Sequence, residues 1–242
     1  LTCRARRSSL LYRLRMDVEL RHNPSNTVAR CRLAPRESLN TEGGAMLACS
    51  AGVDIRSSTP GGFLGGLKRS ALSAGSFYVT TYTAPDQGGW VDLAGKLPGD
   101  VITVDVADGQ EWFVGHGSWL GNSPDVTVDP QFGGMKQMFG GQGAFGYKAS
   151  GRGHVLLGVY GAIDVMDLGP GERVTIDTGH VVAYHLAMTF DVRRAVQGKT
   201  MQTLKSGEGL VFDFTGPGRV LLQTRNPREL ERLIDENRPR SS

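Results

Sequence analysis

The fold is decided by the stretch LGPGERVTIDTGHVVAY, residues 168–184. A Pro-Gly turn leads into an alternating β-branched run, and a glycine then opens a second apolar run, which is the pattern of short strands joined by tight turns. Similar turns lie at Pro35-Arg36-Glu37 and Pro98-Gly99-Asp100, and similar glycines lie at Gly44 and Gly117. Self-similarity at this spacing indicates one supersecondary unit that is used repeatedly.

These repeats predict an all-β fold, a β-sandwich built from three internal repeats with a short C-terminal helix. The predicted units cover about residues 17–88, 89–152 and 153–217, within a single β domain at 16–227. A sequence of 34 glycines and 21% charged residues suits many tight turns between short strands. No apolar run approaches the roughly 18 residues that span a bilayer.

The positive charge is concentrated in residues 1–15, which carry five arginines and no acidic residue. We expect this basic segment to be a disordered or non-native extension, with Met16 as the natural start. The remaining residues carry 22 basic and 24 acidic side chains, a balance that does not favour nucleic acid. Three cysteines without metal-like spacing are typical of a reducing compartment, and we expect a cytoplasmic protein.

The C-terminus is the one place where a helix is predicted, with a frayed tail after it, over residues 228–242. Asn226 can cap such a helix, and Pro227 suits its first position. One apolar stripe is expected to dock on the sheets or on a neighbouring subunit. It consists of Leu230, Leu233 and Ile234.

The motifs that could carry chemistry do not support catalysis or a cofactor. The glycines of GQGAFG, residues 141–146, match a dinucleotide fingerprint, but they lead into further β sequence and not into the helix that the fingerprint needs. The five histidines form no compact metal set. Ser118 lies near His116 but outside a nucleophile elbow. We therefore predict a protein that is not an enzyme and holds no metal.

One cationic feature recurs, because Lys68 and Lys136 each follow a Gly-Gly pair. It is interpreted as a solvated turn, with contact to an anion or a partner as the alternative. That alternative corresponds to a ring that binds RNA or an anionic membrane surface, for which basic or aromatic residues should recur on one face. A small-barrel enzyme of cupin type is a further alternative, suggested by Leu97-Pro98-Gly99-Asp100, but it lacks the histidine cluster.

Several strings resemble a known family. They are GGAMLACSAGV from Gly43, GGFLGGLKRSAL from Gly61, TYTAP from Thr81, LPGDV from Leu97, FGGMK from Phe132, YGAI from Tyr160, the stretch quoted first, and GEGLVFDFTGPGRVLLQTRNP from Gly207. They are similar to the altered-inheritance-of-mitochondria 24 family, over about Met16 to Pro227.

The resemblance implies a fold like that of the trp RNA-binding attenuation protein (TRAP), assembled into a ring-like homo-oligomer, with a trimer favoured. The fungal mitochondrial member is associated with the inner membrane, so peripheral membrane contact stays an alternative. The family supplies no catalytic residues to match, and a shared fold does not confer RNA binding. We expect a non-catalytic oligomeric scaffold or interaction protein.

Overall fold

A computed structural model describes residues 16–24, 26–58, 78–130, 146–195 and 209–238. These residues form antiparallel sheets and one short C-terminal helix, so the predicted all-β class is confirmed. Some strands, such as those at Val28–Leu33 and Val79–Thr83, alternate buried residues with more exposed ones, as expected where one face of a sheet is covered.

Nineteen strands follow one another along the described chain. The first seven are β1 (Asp17–Arg21), β2 (Val28–Leu33), β3 (Ser38–Glu42), β4 (Met46–Cys49), β5 (Asp54–Ser58), β6 (Val79–Thr83) and β7 (Gly89–Ala94). The next six are β8 (Val101–Val106), β9 (Trp112–Gly115), β10 (Trp119–Asn122), β11 (Val126–Asp129), β12 (Gly146–Gly151) and β13 (Gly153–Gly158). The last six are β14 (Ile163–Leu168), β15 (Arg173–Asp177), β16 (Val181–His185), β17 (Thr189–Arg194), β18 (Leu210–Thr215) and β19 (Gly218–Gln223).

The same pairing order occurs in three sets of six strands, namely β2–β7, β8–β13 and β14–β19. In each set the first strand pairs with the sixth and the sixth with the third, while the second pairs with the fifth and the fifth with the fourth. Each set thus contributes two three-stranded sheets, and β1 extends the first of them beside β2.

Neighbouring sets share sheets. β10 of the second set pairs with β3 of the first, and β16 of the third pairs with β9 of the second. The result is two six-stranded sheets, with a four-stranded sheet at one end (β1-β2-β7-β4) and a three-stranded sheet at the other (β15-β18-β17).

The apolar cores cross the same boundaries. The core of the first set includes Leu120 and Leu156 from the second, and the core of the second includes Val182 and Leu221 from the third. In the third set, Phe212 and Phe214 are fully buried against Tyr184, with Phe113 added from the second set. A sheet at a junction is therefore covered on both faces.

This grouping differs from the predicted unit boundaries. Each last strand pairs back to the first strand of its own set, so β7 belongs with β2, although the sequence placed residue 89 at the start of the second unit. The Pro98-Gly99-Asp100 turn also differs from its two supposed counterparts. It precedes a first strand, β8, whereas Pro35 and Pro170 precede second strands, β3 and β15.

The C-terminal helix α1 covers Pro227–Glu236 and begins as predicted. The Asn226 side chain accepts a hydrogen bond from the Arg228 amide, and Pro227 occupies the first turn. Because the first amides of a helix lack partners inside it, this cap satisfies one of them.

Candidate assembly interface

The predicted site residues fall in two groups. Lys68 and Lys136 lie outside the described residues. Leu230, Leu233 and Ile234 lie on α1, which has no buried residue; Leu230 is half-buried, whereas Leu233 and Ile234 are 58% and 52% exposed. The two exposed side chains do not dock on the sheets that the structure describes.

Two internal junctions show how one set joins the next. At the first, Gly121 pairs with Thr41 and Asn122 with Asn40. At the second, Ala183 pairs with Val114, Tyr184 with Phe113, and His185 with Trp112. Each junction joins the third strand of one set to the second strand of the preceding set, in antiparallel pairing.

Both junctions are closely packed. A Cβ atom on Gly121 would lie 2.9 Å from the Asn40 carbonyl oxygen, so only glycine fits there without displacing backbone. At the second junction the Phe113 and Tyr184 rings stack with centroids 4.8 Å apart. Burial raises the pKa of Tyr184 above its ordinary value. These contacts stabilise the junctions as parts of the apolar core.

The same two kinds of edge are left open in the first and the last set of strands. Among the described residues β4, the third strand of the first set, pairs with β7 alone, and β15, the second strand of the third set, pairs with β18 alone. Their counterparts in the other sets are all paired with a neighbouring set. Open edges present unpaired backbone donors and acceptors, which are prone to pair with another chain.

The side chains of β4 are exposed where their counterparts are buried. Met46 and Leu47 are 37% and 61% exposed. Trp119 and Leu120, at the same places in β10, are 1% and 2% exposed, and Val181 and Val182 in β16 are 8% and 0% exposed. The sequence agrees with this placement, since Met46, Trp119 and Val181 each lie two residues after their turn glycine, Gly44, Gly117 or Gly179. β4 therefore has apolar side chains like those of β10 and β16, but among the described strands no neighbouring set covers them.

A charged cluster lies beside this edge. Asp92 of β7 is 3% exposed, and it accepts hydrogen bonds from Arg30 at 2.8 Å and from Arg21 at 2.6 Å. The hydrogen bond from Arg30, together with the charge of Arg21, holds the pKa of Asp92 below its ordinary value. The Arg30 guanidinium also lies 4.0 Å from the centroid of the Trp90 ring. The carboxylate is thus buried, but paired.

The other open edge, β15, has a mixed character. Ile176 is 6% exposed and belongs to the core of the third set, whereas Thr175 is exposed and donates a hydrogen bond to Asp213. The Arg193 guanidinium pairs with the same carboxylate at 2.6 Å. The hydrogen bond from Arg193 lowers the pKa of Asp213 below its ordinary value, with the Thr175 hydroxyl as a further cause.

A cleft of about 920 Å³ is lined by all three sets. Corresponding turns between second and third strands contribute to it, at Gly44, Gly117 and Gly179. Its charged groups include Lys96, which pairs with Glu42 at 2.7 Å. His116 and Ser118 both line the cleft, but among the described residues no hydrogen bond joins them, so the geometry gives no activated nucleophile.

A second cavity of about 720 Å³ lies between the second and third sets. His154 Nδ1 is 2.7 Å from Asp105 Oδ1, and Arg219 pairs with Asp167 at 2.6 Å. His185 lies in the same cavity, and its pKa is lowered mainly by burial and secondly by the charge of Arg219. In the described ranges no group of three or more His, Cys, Asp or Glu side chains could hold a metal ion.

Sequence reasoning missed the open edges. The sequence pattern identified Gly44, which precedes β4, but the alternation within a strand does not specify which other strand will pair with its edge. The available signal was the comparison of Met46-Leu47 with Trp119-Leu120 and Val181-Val182. Trp112 and Trp119 pack in the apolar core of the second set and are 3% and 1% exposed.

Together, the sheets and their shared junctions define an antiparallel β-sandwich protein in which successive sets of strands are joined edge to edge. The chain belongs to the AIM24 family, described as Mitochondrial biogenesis AIM24, whose model matches residues 18–225. In the part of the chain that the structure describes, no helix is long and apolar enough to cross a membrane.

Two bacterial proteins resemble this chain. The uncharacterized protein M6_Spy0233 of Streptococcus pyogenes serotype M6 is 29% identical over 185 residues, which cover 75% of this chain and 72% of that protein. The X-ray crystal structure of protein SPYM3_0169 from Streptococcus pyogenes superposes with a TM-score of 0.73 at 23% identity, covering 92% of this chain and 99% of that one. The structural likeness shows the fold, and neither name states an activity.

Proposed function

We propose that this protein is a non-catalytic homo-oligomeric scaffold whose copies associate through the open edge of β4. The observation that carries the proposal is the contrast in burial between Leu47, 61% exposed, and its junction counterparts Leu120 and Val182, 2% and 0% exposed. A strand with a junction sequence and an uncovered edge is suited to a neighbour of the same kind. The family resemblance favours three copies.

The energetics support association at this strand. Covering a leucine side chain that is largely exposed contributes about 2 kcal/mol. Pairing the edge also satisfies backbone groups that are otherwise left to water. The free Cys31 and Cys49 fit a reducing compartment, so we place the scaffold in the cytoplasm.

The experiment compares two exposed leucines in the full chain. The native mass of the wild type, Leu47→Arg and Leu233→Arg is measured by native mass spectrometry and by light scattering after gel filtration. Both leucines are more than half exposed, but Leu47 lies on the open edge and Leu233 on α1. Each arginine therefore adds the same charge at a different candidate contact.

We expect the wild type and Leu233→Arg to be oligomers of equal mass. Copies of Leu47→Arg should associate with an affinity about 100-fold lower than copies of the wild type, because an unpaired charge in a covered interface costs several kcal/mol. A wild-type chain that is monomeric at micromolar concentration would refute the scaffold. If Leu233→Arg dissociates while Leu47→Arg stays an oligomer, the copies associate through the apolar stripe of α1 and not through β4.

A further inference from the structure

The two open edges of the chain are complementary in a definite register. Positions in the three sets can be matched through their shared partner strand: Met46 lies opposite Leu93, Trp119 opposite Leu157, and Val181 opposite Leu222. Each of these third strands then has one bulged residue, which is Leu47, Leu120 or Val182.

The matching defines one rule for both internal junctions. The residue after the bulge, Gly121 or Ala183, pairs with Thr41 or Val114 of the preceding set. Thr41 and Val114 are themselves equivalent, since each is three residues before the glycine of its turn, Gly44 or Gly117. The two junctions therefore have the same register, although their side chains differ completely.

Applying this rule to the open edges gives a specific pairing. The residue after the bulge in β4 is Ala48, and the residue three before Gly179 in β15 is Ile176. We infer that β4 of one copy pairs antiparallel with β15 of the next, with Ala48 opposite Ile176 and Cys49 opposite Thr175. The inference rests on the proposed function, since it specifies the contact through which the copies associate.

The pairing would produce one continuous sheet of seven strands across two copies. Its order would be β1-β2-β7-β4 from one copy and β15-β18-β17 from the other, which is the strand order of the two six-stranded sheets inside the chain with β1 added at one edge. Because β4 and β15 are different surfaces, the contact is head-to-tail. Such contacts form a closed ring when the rotation between copies closes.

One position departs from the internal junctions. Asp92 occupies the place that Leu156 and Leu221 take in the other sets, where both leucines are covered by the preceding set. A charge there is compatible with a covered surface because Arg21 and Arg30 already pair with it. Leu47 is the adjacent apolar contact on this face.

Disulfide trapping tests the register directly. Opposite residues in an antiparallel pair have Cα atoms about 4.5 or 5.5 Å apart, within the range of a disulfide bond. Thr175→Cys is introduced into the full chain with Cys3→Ser, and mild oxidation is followed by a non-reducing gel and peptide mass spectrometry. Cys49 is the natural partner and Thr175 is exposed, so the substitution leaves the core intact.

Two variants serve as controls. Cys49→Ser with Thr175→Cys removes the partner thiol, and Arg173→Cys places a thiol on the same face of β15, two residues away. We expect Thr175→Cys to give a ladder of disulfide-linked chains that ends at the native copy number. Neither control should give this ladder.

The failure modes are distinct. If Arg173→Cys is linked and Thr175→Cys is not, the proposed register is wrong. The same follows if no disulfide forms in a sample whose native mass is that of an oligomer. In both cases the scaffold proposal is unaffected. A disulfide within one chain would overturn pairing between copies. A wild-type monomer under the same conditions would overturn both proposals.

Discussion

Replacing Leu120 and Leu47 by alanine, one at a time, compares the same position in a covered and an open junction. Leu120 is 2% exposed and packs in the core of the first set, although it belongs to the second. Its truncation should cost about 3 kcal/mol, because the lost burial is joined by the cost of a cavity that the surrounding sheets cannot collapse.

Leu47 should behave in two ways, depending on association. In an isolated chain its 61% exposure predicts a cost below about 0.5 kcal/mol. In the assembled scaffold the side chain is covered, and the cost should approach about 2 kcal/mol, expressed mainly as weaker association.

Urea unfolding at two protein concentrations that differ by about 100-fold separates these cases. Leu120→Ala should lower the free energy of unfolding by a similar amount at both concentrations. Leu47→Ala should lower it only where the wild type is oligomeric. If Leu47→Ala stays within about 0.5 kcal/mol of the wild type at a concentration where the native mass shows an oligomer, β4 is not the contact.

Three further predictions concern single groups. Asp92→Asn should lower the urea midpoint most at neutral pH. Its difference from the wild type should shrink as the pH falls through the depressed pKa of Asp92, since the stabilisation exists only while that carboxylate is ionised. A difference that stays constant from neutral pH into acid would contradict this. Burial raises the pKa of Cys31 to about 12, so iodoacetamide at pH 8 should spare Cys31 and modify Cys49 in the Leu47→Arg variant, whose β4 edge is uncovered, as read by peptide mass spectrometry. Gly99→Ala should destabilise by at least about 2 kcal/mol in thermal unfolding because a Cβ atom there would lie 2.0 Å from the Val159 carbonyl oxygen, whereas Gly209→Ala, which meets no atom within 4 Å, should be near neutral.

Local pattern predicted much of the secondary structure. The alternation of Val28 to Leu33 and the β-branched residues of Val101 to Val106 predict strands from the sequence, and these segments are β2 and β8. The helix begins after its Asn226 cap. In these segments alternation, β-branched residues and capping all indicate the same structure. β5 (Asp54–Ser58) gave no such signal, since all five residues are exposed and no apolar alternation marks them.

Pairing between distant strands could not be predicted in the same way. β2 pairs with β7 across about sixty residues of chain, and nothing in either strand specifies the other beyond a shared period of two. The Pro-Gly-Asp turn before β8 was matched wrongly with the turns before β3 and β15, because the corresponding turn in the second set, Ala107 to Gln110, contains no proline. The TRAP-like fold, the copy number and the role of Lys68 and Lys136 stay predictions.

The shared cores make the three sets inseparable. Leu120 and Leu156 complete the core of the first set, while Leu221 completes that of the second, so a fragment cut between sets would expose apolar surface on the piece that remains. Hydrogen exchange should therefore show the central sheets opening together in one cooperative step. A chain built in this way could gain a further set of strands by gene duplication, because β4 and β15 offer the same types of edge that its internal junctions already use.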